Sequence, residues 1–435
     1  MSLSPFDAPG RNAHRPLARL WSLLAIFVFV LPISLTIGGL GVSANYSFLV
    51  LLLLLRPVTA WPKLVWLVVA YSIAIYLSGA IFMATDAPQF HLRQLASFLL
   101  FLGGLLVAVT RMPFDFEDLA CVIAVTAAAY AIAVAVALML TGIPATNAGV
   151  VKSLLANWIP DWPQRFIMVV MLGFFLALLL ARQSRLWLLA AGLCGFCIVI
   201  SYGRAAGLAM LAGIALLTLL QVNSRDWAGL KNLAISVGLA GVMTVLVVGQ
   251  GMGDLARSQT RLATSTVSLI PEKFWEPAIA TWLPKDTQTS PETIRAEVER
   301  SYAEGGEASG RIRLIIWSSL LDKMMNKRML FGSGFAGPYL HDPAIGSTHS
   351  QYLDIMFRMG PVGLCLYLGL WGVLVLGSFR QSRELGCAML AWFLFGFFNE
   401  TTKYSYGAFL FFTLLSFSWY GWKRSDVTSP VTRMQ

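Results

Sequence analysis

Hydrophobic residues run along this chain in blocks of roughly 20, parted by short polar connections, and the pattern is interrupted once, by a polar island over about 251–350. A block of that length suits a helix that crosses a bilayer, and only helices or closed barrels satisfy their own backbone in hydrocarbon. The period-two alternation of a barrel is absent. Apolar blocks near 17–40, 44–55, 63–84, 94–110, 117–141, 165–181, 186–201, 204–221, 231–249, 359–379, 385–399 and 404–422 predict about twelve transmembrane helices. The expected fold is all-α and polytopic. It divides into membrane helices over 1–250 (about nine spans), a large external loop over 251–350, and about three further spans with a tail over 351–435.

The island has structure of its own. Pro291 to Tyr302 reads as a charged helix, Gly305 to Gly310 as a break, and Arg311 to Lys327 as an amphipathic helix. Ile312, Ile315, Ile316, Leu320 and Met324 give that last helix an apolar face able to rest on the membrane helices. Phe331 to Pro338, rich in glycine, breaks the chain again.

Composition agrees with a membrane protein: 57% of residues are hydrophobic and only 12% charged. A net charge of +10 raises the question of nucleic acid, and its placement answers it. Arg11, Arg15 and Arg19, then Arg56 with Lys63, Arg111, Arg182 with Arg185, Arg225 with Lys231, Arg380 with Arg383, and Lys423 with Arg424 fall in alternate connections or in the tails. That is the positive-inside pattern, which puts both termini in the cytoplasm and the island outside. The stretch ending Val42-Ser43-Ala44 is too long in its apolar run for a signal peptide and reads as an uncleaved first helix. All five cysteines lie in apolar blocks, so Cys194 and Cys197, though spaced C-x-x-C, read as packing.

Chemistry is expected at the outer face. His349, in Ser347-Thr348-His349-Ser350, stands at the mouth of a helix that leads into the block from Met359. Arg204 sits in a tight turn between two apolar helices, where a cation is either an interfacial anchor or an anion ligand. Arg311 and Arg313 open the amphipathic helix against its dipole, so helix stability does not explain them. Guanidinium forks match phosphate oxygens, which suggests a phosphorylated ligand.

In this order, Tyr202-Gly-Arg204-Ala-Ala-Gly207, Ser309-Gly-Arg311-Ile-Arg313 with Trp317, Gly332-Ser-Gly334, His349-Ser-Gln-Tyr352-Leu353 and Gly360-Pro-Val-Gly363 resemble the O-antigen ligase and polymerase superfamily. The resemblance implies an inverting glycosyl transfer without a metal or other cofactor, on the periplasmic face of a bacterial inner membrane. The donor would be a glycan on undecaprenyl diphosphate, and the acceptor lipid A-core for a ligase or a growing glycan for a polymerase. Arg204 with Arg313 or Arg311 would hold the diphosphate, and His349 would act on the acceptor hydroxyl. Two departures stand out: the family has His-Asn where this chain has His349-Ser350, and its arginine four residues before the aromatic selects Arg313 whereas the preceding Ser-Gly selects Arg311. Both arginines are retained, Arg313 first. The twelve-span layout with one dominant loop favours a ligase.

Two other classes compete. A metal-dependent transferase needs an acidic cluster outside, but Asp115, Glu117 and Asp118 lie on the expected cytoplasmic side at a helix start, where they favour the dipole. His341, Asp342 and His349 form the remaining metal candidate. A transporter or flippase fits the span count, yet the middles of the blocks hold almost no ionisable residues. Asp354 and Arg358, four apart, are expected to pair with each other.

Overall fold

The structure is a computed structural model that describes residues 34–37, 40–43, 62–86, 91–109, 116–141, 166–200, 204–248, 348–403 and 405–427, with 317, 320–321, 324, 330–335 and 337. Ten α-helices are described: α1 Lys63–Asp86, α2 His91–Val109, α3 Phe116–Thr141, α4 Ile167–Leu180, α5 Leu186–Ile200, α6 Arg204–Asn223, α7 Trp227–Val248, α8 Gln351–Gln381, α9 Arg383–Phe395 and α10 Ser405–Val427. They coincide with the third to twelfth apolar blocks. Five stretches within them are long and apolar enough to cross a membrane: Lys63–Ile81, Phe116–Val136, Ala205–Asn223, Trp227–Val247 and Gln351–Gln381.

The first block needs a correction. Ser34–Ile37 and Leu40–Ser43 pair as an antiparallel hairpin, Ile37 opposite Leu40, where its C-terminal end was expected to be helical. The rest of that block and the span at 44–55 lie outside the described residues.

At the centre stands α4, apolar all round and buried on nearly every face, from Ile167 to Leu180. A helix without a polar side can only be a core element. It packs on α3 and α5 on one side and on α9 on the other; α8, α10, α2 and α1 continue from α9. Small residues let these helices approach closely: a side chain at Gly173 would strike the Ala127 Cβ, and one at Gly377 would strike Ser418. Cys194 and Cys197 are buried in this core, as packing residues would be. The outer helices reverse the pattern. Ile81 on α1, Leu219 on α6 and Leu246 on α7 are 74%, 66% and 76% exposed. A surface of such side chains suits hydrocarbon.

The connections sort to two ends. One gathers the turns α4–α5, α6–α7 and α8–α9: Arg182 in the first bridges Asp226 in the second at 3.0 Å and Glu384, at the start of α9, at 2.6 Å. Arg383 also reaches Ser224 and Asp226. Glu117 and Asp118 lie in the first turn of α3, where the dipole favours them. The other end holds the start of α6, Trp317, the approach to α8 and the turn after α9.

Candidate functional site

The path to His349 begins with a break in α8. Gly360 adopts φ 69° and ψ 179°, and Pro361 follows it inside the helix. Proline has no N–H for the carbonyl four residues earlier, Phe357, and the kink also releases its neighbours. Such groups must find partners where no water reaches. Ser333 supplies two for Phe357 O, its N–H at 2.9 Å and its hydroxyl at 3.1 Å. The Gly334 N–H donates to Arg358 O at 3.0 Å, and the Tyr71 hydroxyl to Met359 O at 2.6 Å.

Gly332 and Gly334 have φ of 74° and 91°, and a Cβ on Gly332 would lie 2.4 Å from Arg358 O. The Gly332-Ser-Gly334 and Gly360-Pro-Val-Gly363 motifs are thus two halves of one structural joint. Within it, Arg358 donates to Asp354 at 2.7 Å, as its spacing led us to expect, and to the Phe335 carbonyl. Both side chains are buried. This arginine is engaged in scaffold contacts.

One turn before α8, the polypeptide is held by a different network. Ser350 is the N-cap, extended at φ −142°, its hydroxyl accepting from the Leu353 N–H. Serine is among the favoured N-cap residues, because its short side chain reaches the orphan N–H groups of the first turn. Thr348 is fully buried; its N–H donates to Glu400 at 2.6 Å, its hydroxyl lies 2.8 Å from the same carboxylate oxygen, and that hydroxyl accepts from the Ser350 N–H at 3.2 Å. Trp317 donates its indole N–H to Thr348 O at 2.8 Å. The Gln351 N–H binds Gly396 O at 2.8 Å, and its side chain accepts from the Thr402 N–H at 2.8 Å. Between these anchors His349 is exposed and left-handed, with φ 52°. That conformation is uncommon for a residue with a Cβ and persists only where the surroundings impose it.

Trp317 connects this turn to α6. It lines an apolar groove of about 400 Å³ with Ala205, Leu208 and Ala209 of α6, Leu394 of α9, and Phe397 and Phe398 of the following turn. Residues 317, 320, 321 and 324 are helical, and Leu320 and Met324 are buried. Their spacing is that of one helical face, as expected for the amphipathic helix.

Of the four expected site residues, His349 lies at this end in full view. Arg204 is the first residue of α6, next to the groove-lining Ala205; its side chain is outside the described residues, and the first turn of α6 holds no acidic residue. Arg311 and Arg313 also lie outside them, but Trp317, four residues after Arg313, stands between the α6 start and the His349 turn. His341 and Asp342 lie outside as well. Sequence reading missed Glu400, Thr348 and Trp317's bond. For Glu400 a signal existed: Asn399-Glu400-Thr401 puts a carboxylate between the last two apolar blocks, on the side of His349.

A family model described as O-antigen ligase matches residues 189–368, from α5 into α8. The matched stretch contains Arg204, Arg311, Arg313 and His349, and ends before Glu400. No curated protein matches the chain.

Proposed function

We propose, from the O-antigen ligase and polymerase superfamily that the match over residues 189–368 supports, that the chain transfers a glycan from undecaprenyl diphosphate to an acceptor sugar. The transfer takes place at the periplasmic face of the inner membrane, the acceptor being lipid A-core, as in an O-antigen ligase. The observation that carries this reading is the junction of Trp317: its indole binds Thr348 O beside His349, and its ring shares a groove with Ala205 beside Arg204. One aromatic side chain joins the proposed base to the proposed phosphate ligand.

In the reaction, neutral His349 takes the proton of the acceptor hydroxyl as that oxygen attacks the anomeric carbon of the donor sugar. The bond from that carbon to the lipid diphosphate breaks, and attack opposite the leaving group inverts the centre. A positioned base contributes roughly 10² to 10⁴-fold. Charge develops on the diphosphate, where Arg204 and Arg313, or Arg311, stabilise it with about 1.5–3 kcal/mol per charged hydrogen bond. The N-terminus of α6 faces the same place, and the unpaired N–H groups of a helix start favour phosphate. The apolar groove suits the first isoprene units of the donor. No step calls for a metal.

The twelve-span topology, with both termini cytoplasmic and the 251–350 loop periplasmic, belongs to the same proposal. Its test is labelling by an impermeant thiol reagent: Glu304→Cys reacts in intact cells, and Gln183→Cys only after lysis. The reverse result would put the donor on the wrong side. The function is tested by purified protein with lipid-linked donor and acceptor. A covalent product is expected, and a flippase would give none. Deletion should leave lipopolysaccharide without attached O-antigen while lipid-linked polymer persists; short single-unit chains would mark a polymerase.

A further inference from the structure

Glu400 lies in the turn after α9, 4% exposed and outside the matched residues. One of its carboxylate oxygens faces both the backbone N–H and the hydroxyl of Thr348, at 2.6 and 2.8 Å. A buried carboxylate is costly unless its oxygens are bonded, so these contacts are not incidental. Thr348 passes the constraint on, because its hydroxyl accepts from the Ser350 N–H and also lies 2.7 Å from Ser350 O. The residues on either side of His349 are therefore pinned by one carboxylate, while Trp317 holds Thr348 from its carbonyl side at 2.8 Å. A left-handed residue with a Cβ is disfavoured, and a clamp across its neighbours is what can maintain it.

We propose that Glu400 is a positioning residue for the transfer: through Thr348 it fixes the left-handed turn that aims His349 at the acceptor hydroxyl. The inference rests on the role of His349 proposed above. Glu400 itself touches neither donor nor acceptor, so its removal acts on turnover and leaves donor binding alone. Misplacing a catalytic group by about 1 Å is able to cost on the order of 10²-fold in rate.

The test measures kcat and donor KM for purified full-length Glu400→Ala, Glu400→Gln and Thr348→Val, with His349→Gly as reference. Glutamine keeps the oxygen that accepts both hydrogen bonds, so Glu400→Gln should stay within about five-fold of the parent, while Glu400→Ala loses about 10²-fold in kcat at unchanged KM. Thr348→Val, which keeps the N–H bond and loses the hydroxyl, should fall between them. Parental kcat in Glu400→Ala overturns the inference, and so does a Glu400→Gln protein as impaired as Glu400→Ala, since charge and not geometry would then matter. If Glu400→Ala does not fold, Glu400→Gln and Thr348→Val decide: parental turnover in Thr348→Val overturns it. An inactive His349→Gly beside an active Glu400→Ala removes only the positioning role, whereas a fully active His349→Gly removes the base and the function reading with it.

Discussion

Among the described residues, each end of the helical bundle contains one non-glycine residue in the left-handed region, Arg225 at φ 55° and His349 at φ 52°, and they are there for different reasons. Arg225 terminates α6. The Asp226 N–H reaches back to Gln221 O at 2.8 Å and the Arg225 N–H to Val222 O at 3.0 Å, the bonding of a Schellman cap, in which a left-handed residue closes the helix. Around it charges close on one another, Arg182 on Asp226 and Glu384, Arg383 on Asp226. His349 ends no helix; it precedes one, and the cap belongs to Ser350. There the Glu400 carboxylate accepts from the Thr348 N–H beside His349, and α6 opens on an arginine without an acid in its first turn. The basic end is a clasp. The opposite end holds a presented side chain, an arginine at a helix start and an apolar groove, which is the arrangement a charged lipid-linked substrate calls for.

The contrast is broken most severely at the joint that supports the second end. Arg358→Ala leaves Asp354 buried without its ion pair and should cost about 3–5 kcal/mol, read as a lowered thermal midpoint in detergent. A smaller loss would mean that the pair does not hold the Gly332-Ser-Gly334 turn. Next comes Arg204→Lys, which keeps the charge but loses the bidentate fork; transfer should fall by the worth of one charged hydrogen bond, about 1.5–3 kcal/mol, with the midpoint unchanged. Near-parental transfer would leave Arg204 as an interfacial anchor. At the clasp, Arg182 is half exposed but its partner Glu384 is buried, so Arg182→Gln, which weakens the contact to that carboxylate, should cost about 1–3 kcal/mol of stability and nothing in kcat; a drop in kcat would mean that the two ends are coupled. The smallest effect belongs to Arg225→Gly. Relief of the left-handed conformation is offset by added chain entropy, leaving a change of a few tenths to about 1 kcal/mol toward stability, with transfer unaffected.

Ten helices were legible because each is an apolar run with polar or basic ends, the strongest pattern a chain can display. The hairpin was not. Leu35, Ile37, Leu40 and Val42 raise the same hydropathy average as a span, and the average overrode Gly38-Gly39, a pair favoured in two-residue hairpin loops. The position of His349 just ahead of a helix was legible, and so was the Asp354–Arg358 pair, from four-residue spacing. The meaning of the two glycine motifs was not, because Phe357 O finds Ser333 only when chain segments 24 residues apart fold together. Glu400 is 52 residues from Thr348, and no local rule joins them. Long-range bonds to backbone atoms leave no periodicity in the sequence to read.

His349→Gly tests the central claim most directly, because glycine adopts the left-handed turn without penalty and removes only the imidazole. The account predicts a thermal midpoint no lower than the parent's, donor KM unchanged, kcat reduced by at least about 10²-fold, and partial recovery when imidazole is added to the assay. A His349→Gly protein that transfers glycan within a few-fold of the parent, in the absence of imidazole, would contradict it.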